Sequence, residues 1–295
     1  MEEIKRIDKT NETLVIIVTY NRKNALERCI LSLRKQSIHV FDILIVNNGS
    51  TDGTKEYLEG ENDLIVIHQE NLGGAGGFYA GMKYMMEHGY EWLWMMDDDG
   101  IAAPDQLECL MSQASKGEHP VLNALVLNKD SKEELSFHAP VRLRKELIGQ
   151  DITDAFVHPF NGTLIHRSVI EKVGMIKKEM FIWGDEMEYM ERLRVNGYQP
   201  ITVVDAIHYH PKEKGKTMRV FPFCDKYQVM DKPAKLSKYY YRNIGYMHRV
   251  YGRHWYTGTP FVCQNLIAQL IRGRFGEATK VMKYYMKGRK NDFSD

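Results

Sequence analysis

Between Leu14 and Met96 the chain repeats one alternation, a short branched apolar run followed by a segment with helical spacing. Leu14–Val18, Ile43–Val46, Leu64–Ile67 and Trp92–Met96 are apolar at successive positions, as expected of strands buried on both faces of a sheet. Between them, Asn24–Gln36 places Ala25, Leu26, Ile30 and Leu33 on one helical stripe. A short helix is expected at Thr54–Leu58, and another at Phe78–His88 after a glycine-rich turn, Gly73–Gly77. Strands joined through short helical crossovers make right-handed connections, so the expected class is α/β with a doubly wound, mainly parallel sheet. Ligands bind such sheets beyond the carboxyl ends of the strands. Three of the runs end there in polar residues: Thr19-Tyr20-Asn21, Asn47-Asn48-Gly49-Ser50-Thr51-Asp52 and Asp97-Asp98-Asp99. One edge of the sheet should therefore gather them.

The second half is less regular. Strands are expected in Gly117–Leu127, Gly162–His166 and Ile201–Val204, with helices at Ser168–Val173 and at Asp185–Asn196, the latter stopped by Gly197. Two basic, aromatic amphipathic helices follow, Lys235–Tyr251 and Pro260–Lys287. This divides the chain into a domain over 1–230 and a helical extension over 231–295. A length of 295 residues with 43% hydrophobic content buries a core without help from disulfides. Four scattered cysteines have no zinc or redox spacing, and a formal charge of +1 argues against nucleic acid as a partner. The polar stretch Met1–Thr13 does not read as a signal peptide, and no apolar window reaches the length of a membrane span. The expected location is the cytoplasm, at most on the inner face of the plasma membrane.

Four clusters can carry chemistry. Three adjacent carboxylates at a strand end repel one another, and a hard divalent cation such as Mn²⁺ or Mg²⁺ relieves that repulsion; a solvated acidic turn is the plainer alternative. Asp185-Glu186-Met187-Glu188 opens a helix, where acids suit the dipole. Three acids beside Phe181-Ile182-Trp183 exceed what capping requires, and a carboxylate there can serve as a general base. The glycines of Asn71–Phe78 permit close ligand approach at a helix start, but match neither the dinucleotide fingerprint nor a P-loop. Either His208 or His210 can supply a metal ligand.

Taken in order, Val18-Thr19-Tyr20-Asn21-Arg22, Ile45–Thr54, the Asp97 triplet, Gly184–Tyr189 and His208-Tyr209-His210 resemble the inverting family-two glycosyltransferases of the GT-A nucleotide-sugar fold. Asn71–Phe78 and Tyr239-Tyr240-Tyr241-Arg242-Asn243 further resemble the galactofuranosyltransferases, which use UDP-galactofuranose.

The resemblance implies roles. Thr19, Tyr20, Asn21, Gly73 and Gly74 would line the nucleotide pocket, with Asn48 and Asp52 near base and ribose. Asn47 stands where many relatives carry an Asp that reads uracil. Asp97 and Asp99 would hold the diphosphate through the metal, with Asp98 nearby and His210, or else His208, as third ligand. Glu186 would be the catalytic base, with Asp185 as the alternative. Trp183, Trp94 and Glu188 would meet the sugars. The implied partners are a UDP-linked donor and a carbohydrate or lipid-linked glycan acceptor, with rhamnose from dTDP-rhamnose as the rival donor. A nucleotidyltransferase is disfavoured because Thr19–Arg22 lacks a glycine-rich loop. Arg249, Arg253, Arg272, Arg274, Lys280, Lys283 and Lys287, with Trp255, Tyr256, Tyr284 and Tyr285, suit an anionic membrane surface. Helix packing in a homo-oligomer is the competing use of that tail.

Overall fold

The computed structural model describes residues 3–5, 11–212, 215–252 and 255–294, with side chains described outside 3–5 and 255–259. It forms two compact units. The first runs to Lys178 and resumes at Tyr189; the second takes Glu179–Glu188 and the chain after Lys214.

In the first unit the strands are β1 (Glu3–Lys5), β2 (Thr13–Thr19), β3 (Phe41–Asn47), β4 (Leu64–His68), β5 (Trp92–Asp97), β6 (Ile101–Ala102), β7 (Val121–Asn128), β8 (Ile152–Thr153), β9 (Asn161–His166) and β10 (Ile201–His210). Its helices are α1 (Lys23–Leu33), α2 (Thr54–Gly60), α3 (Gly73–His88), α4 (Gln106–Ala114) and α5 (Arg167–Val173), followed by α6 (Asp185–Val195), which begins in the second unit. Ten strands form one sheet in the order β1-β4-β3-β2-β5-β9-β7-β10-β6, with β8 on β10. Neighbours from β4 through β5 are parallel, as are β7 and β10, while β9 runs antiparallel between β5 and β7.

The fully apolar runs are explained by this two-sided burial. Leu14, Ile16 and Val18 of β2 pack with Phe78 and Met82 of α3; Val15 and Ile17 pack with Leu26, Ile30 and Leu33 of α1. Each such side chain contributes about 1.5–3 kcal/mol of burial. Burial on both faces leaves no polar residue in β2 between Thr13 and Thr19.

Three expectations are corrected. Gly73–Gly77 is not a turn but the start of α3. A Cβ at Gly77 would collide with Val18, and one at Gly81 with Ile16, so these glycines let α3 lie directly on β2. Strand β10 continues past Val204 to His210, through an irregularity in its pairing with β7 between Val203 and Ile207. The long helix at Pro260–Lys287 is two.

The second unit contains the hairpin β11 (Thr217–Phe221) and β12 (Cys224–Met230), then α7 (Ser237–Val250), α8 (Trp255–Ile271) and α9 (Phe275–Arg289). Gly273, at φ 67°, allows the break between α8 and α9. The hairpin, expected within a 1–230 domain, shares its buried cluster of Met218, Val220 and Val229 with Ala268 of α8. Helices α7 and α9 meet backbone to backbone at Gly245 and Gly288, where any Cβ would strike the opposing helix.

Candidate active site

The carboxyl ends of β2, β3, β5 and β10 bring the expected polar residues together in the first unit. Asp97 is the last residue of β5, and the chain turns at once, with Gly100 N–H donating to the Asp97 carbonyl. Asp98 points inward and is buried. Its carboxylate accepts from Thr19 Oγ1 (2.7 Å) and Arg22 Nη1 (3.4 Å). Burial raises its pKa to about 6, against the opposing pull of Thr19 and Arg22. Burial also works against ionised Asp99, but His210 and Arg22 outweigh it and bring that group to about 2. Arg22 Nη1 lies 2.6 Å from one Asp99 oxygen, and His210 Nε2 lies 3.1 Å from the other.

Asp97, Asp99 and His210 thus offer ligand atoms within 4.8 Å of one another. The imidazole is set for such use. His210 Nδ1 lies 2.7 Å from the Pro211 carbonyl, which only accepts, so Nδ1 carries the proton and Nε2 faces Asp99. That outer hydrogen bond is the usual way a ligating histidine is oriented. Two carboxylates and one imidazole are a donor set that fits Mn²⁺ or Mg²⁺.

The second unit presents the acidic helix start. Phe181 and Trp183 hold left-handed backbone, φ 66° and 63°, and Gly184 follows at 95°. For bulky residues such a conformation costs about 1–3 kcal/mol and persists only when its surroundings enforce it. Here Asn243 of α7 enforces it: its Nδ2 donates to the carbonyls of Met180 (2.8 Å), Ile182 (3.1 Å) and Trp183 (2.9 Å). The neighbouring Arg242 donates to the Glu179 carbonyl at 2.7 Å. Out of this clamped loop α6 begins with Asp185 buried, Glu186 half-buried and Glu188 buried. Glu188 accepts from the Tyr251 hydroxyl at 2.5 Å.

A metal-ready acidic edge on this sheet narrows the comparison, and the model of "Glycosyl transferase family 2" matches residues 14–174. The chain belongs to glycosyl transferase family 2. This family 2 glycosyltransferase is 30% identical over 254 residues to galactofuranosyltransferase GlfT1 of Mycobacterium tuberculosis, spanning 81% of this chain and 82% of that relative. The protein of the same name from Mycolicibacterium smegmatis is 27% identical over 81% of this chain and 83% of its own. Among solved structures, residues 1–349 of S. aureus TarS in complex with UDP superpose with a TM-score of 0.54 at 14% identity, covering 95% of this chain and 92% of that one. Against the longer TarS chain the match, at TM-score 0.55 and 14% identity, takes in 94% of this chain but only 55% of TarS. A mannosyltransferase from Pyrobaculum calidifontis, in complex with GDP-Man and Mn²⁺, gives 0.52 at 14% identity over 95% and 86%. These structures share the GT-A fold with the family 2 glycosyltransferase described here.

Within this family 2 transferase several expected residues have other surroundings. His208 is on the same face of β10 as His210, one pleat deeper, because residues two apart point the same way. It is fully buried, bonded through Nδ1 to Gln106 Oε1 (3.2 Å) and packed against Gly100, whose missing Cβ makes the space. Burial lowers its pKa to about 3, so it is a neutral core histidine outside the Asp97, Asp99 and His210 group. Trp94 is likewise core: it has no exposed surface and meets Phe41 edge-on, so it cannot stack on a sugar. Trp183 is half-buried, with Lys232 Nζ 4.3 Å from its ring centroid.

The strand-end amides and Asp52 organise the loops. Buried Asn48 donates to the Gly73 carbonyl (2.7 Å) and accepts from Gln69 (2.7 Å) and Leu72 N–H (3.3 Å), tying β3 to the start of α3. Asn47 accepts from Ser50 N–H and contacts His68 Nδ1 at 3.1 Å. Asn21, itself at φ 53°, accepts from Thr51 N–H, and Asp52 accepts from Lys23 N–H at the start of α1. Tyr20 is exposed at the edge, and Gly74 has open space where a Cβ would stand. Sequence reasoning gave no role to Arg22, Gln106, Asn243 or Tyr251. Arg22, which directly follows the β2 strand-end residues, and Asn243, which closes the Tyr239–Asn243 motif, were within reach.

Proposed function

We propose that this glycosyltransferase moves galactofuranose from UDP-galactofuranose onto a glycan or lipid-linked saccharide, in a metal-dependent reaction that inverts the anomeric centre. The observation that carries the reading is the convergence of Asp97, Asp99 and His210 at the carboxyl ends of parallel strands. The similarity to galactofuranosyltransferase GlfT1 over most of both chains supports the donor.

Asp97, Asp99 and His210 would hold a divalent cation, which when bound supplies positive charge to the leaving diphosphate. Thr19 and Arg22 fix Asp98 inward, so the turn presents its two outer carboxylates rather than three. Asn21, Ser50, Thr51 and Asp52 keep the two nucleotide-side loops in one arrangement. Glu186 takes the acceptor hydroxyl proton as that oxygen attacks the anomeric carbon, and the bond to the diphosphate breaks on the opposite face. One displacement of this kind inverts the configuration. Trp183 offers an aromatic surface to the acceptor sugar.

The test is a donor screen with UDP-galactofuranose, UDP-galactose and dTDP-rhamnose, each with Mn²⁺, with Mg²⁺ and with chelator. Turnover is expected with UDP-galactofuranose and should disappear with chelator. A preference for dTDP-rhamnose overturns the donor. Release of pyrophosphate in place of UDP overturns the reaction class.

A further inference from the structure

The cations from which the sequence suggests a membrane-facing tail are largely occupied inside the second unit. Arg249 Nη1 donates to the Arg289 carbonyl (2.9 Å), Arg274 pairs with Asp231 (3.1 Å) and Lys280 pairs with Glu277 (2.6 Å). Arg272 donates to the carbonyls of Ala268 and Arg219. Arg253 lies outside the described residues, as do the side chains of Trp255 and Tyr256.

The β11–β12 hairpin has the opposite character. Its inner face is conventional: Met218, Val220 and Val229 are buried on Ala268. Its end is not. The strands join through a two-residue turn, Pro222-Phe223, with Phe221 opposite Cys224. Phe221 and Pro222 are exposed, and the Phe223 side chain is wholly exposed at the tip. Nothing in the turn requires phenylalanine, since its ring packs on no described neighbour while polar residues serve in such turns. The Arg272 bond to the Arg219 carbonyl ties the end of α8 to this hairpin, and Leu270, Ile271 and Phe275 at that corner are exposed too. Beside the apolar tip stand exposed Lys226 and Arg219, the latter engaged by Asp225, while Lys216 lies at the open end of the hairpin, where its carbonyl accepts from Asp231 N–H.

We infer that the Phe221-Pro222-Phe223 tip is a membrane-docking finger that inserts into the interfacial layer of an anionic bilayer while Lys226, beside the tip, and the basic surface of the second unit meet lipid headgroups. An apolar wedge combined with cations is the two-part signal that stable peripheral binding requires. Charge complementarity favours this occupant over a second copy of the chain. From Gly215 onward the sequence holds sixteen Lys and Arg against five Asp and Glu, so two such surfaces repel each other. A finger of three residues also falls well short of the ~800 Å² per partner of a stable protein interface. The inference deepens the proposed function only in supplying a place for a lipid-linked acceptor.

The experiment is co-sedimentation of the full chain with vesicles of phosphatidylcholine, alone and mixed with phosphatidylglycerol. It needs neither donor nor acceptor, so a failed docking result and a failed transferase assay are separate outcomes. Binding is expected only with phosphatidylglycerol, and Phe223→Ser should weaken it about ten-fold or more, the scale of one large apolar side chain returned to water. Phe223→Trp should keep the affinity, and Lys226→Glu should weaken it. Because Phe223 is wholly exposed, Phe223→Ser should unfold like the parent and keep its turnover on a water-soluble acceptor. Equal binding by Phe223→Ser and the parent overturns the inference. So does binding to neither vesicle, or sedimentation velocity showing a dimer that Phe223→Ser dissolves.

Discussion

The strand-end edge of the first unit and the Met180–Glu188 segment of the second are built by different means. At the edge, rigid strands deliver Thr19, Asn47, Asp97 and His210 to fixed positions, and side-chain hydrogen bonds such as Thr19 to Asp98 only finish the arrangement. In the segment, no strand holds the chain. A loop with three positive φ values is kept in shape by one amide, Asn243, and the helix start it leads to is set by that shape. An edge of this kind tolerates loss of a ligand without losing its fold. The clamped segment should couple activity to stability.

The largest effects should expose this difference directly. Asp99→Ala removes a ligand from a rigid frame. Metal-supported donor binding, followed by calorimetry with Mn²⁺, should fall by more than the roughly 10–100-fold typical of losing an outer-shell partner. The fold should persist, with the denaturation midpoint lowered by loss of the Arg22 and His210 ion pairs. Metal binding at parent strength would remove Asp99 from the site.

Glu186→Gln tests the other half. Turnover should fall by about 10²–10⁴-fold, the usual weight of general-base catalysis, with donor affinity unchanged. Asp185 is buried where Glu186 is half-buried, so Asp185→Asn should act more on stability than on rate. Activity surviving in Glu186→Gln and lost in Asp185→Asn would move the base to Asp185.

Asn243→Ala should show the coupling. Its two N–H groups are shared among three backbone carbonyls, so the variant loses two hydrogen bonds, at about 1 kcal/mol or more for each. The expected result is a loss of about 2 kcal/mol or more in denaturant titration, with faster amide exchange in the 180–184 loop. The rate constant for turnover should fall while donor affinity stays near that of the parent. Unchanged exchange in that loop would show that the left-handed residues hold themselves.

These contrasts also mark what the sequence made readable. The edge was legible because Leu14–Val18 of β2, Ile43–Val46 of β3 and Trp92–Met96 of β5 are unbroken apolar runs, and the polar residues that follow each run lie at the carboxyl edge. The role of Asn243 was not legible, since the carbonyls it binds lie 60 to 63 residues earlier and no local pattern links them. Strand β10 was cut short at Val204 because its pairing irregularity and exposed Asp205 interrupt the apolar run. With β10 shortened, His208 and His210 read as residues beyond the strand that face opposite ways, with His210 favoured as the ligand. In the longer strand they share one face, and depth separates them: His208 is buried against Gly100, and His210, at the strand's last position, faces Asp99.

The glycines of α3 give the smallest expected effects and the sharpest test of the frame. Four glycines near a helix start contradict helix propensity, which is why they read as a turn. The fold resolves the contradiction by packing, since Gly77 is where α3 touches Val18 of β2. Gly77→Ala should therefore cost about 1–3 kcal/mol through overpacking, despite its gain in helix propensity. Gly74 faces open space in the first turn, and Gly74→Ala should be neutral or stabilise by up to ~1 kcal/mol. If the open space at Gly74 serves close approach of the nucleotide, donor affinity should drop in Gly74→Ala while stability does not. In Gly77→Ala the order should reverse, with stability lost and affinity retained in the fraction that stays folded. Equal stability changes in the two variants would mean that α3 does not depend on its close seat against β2.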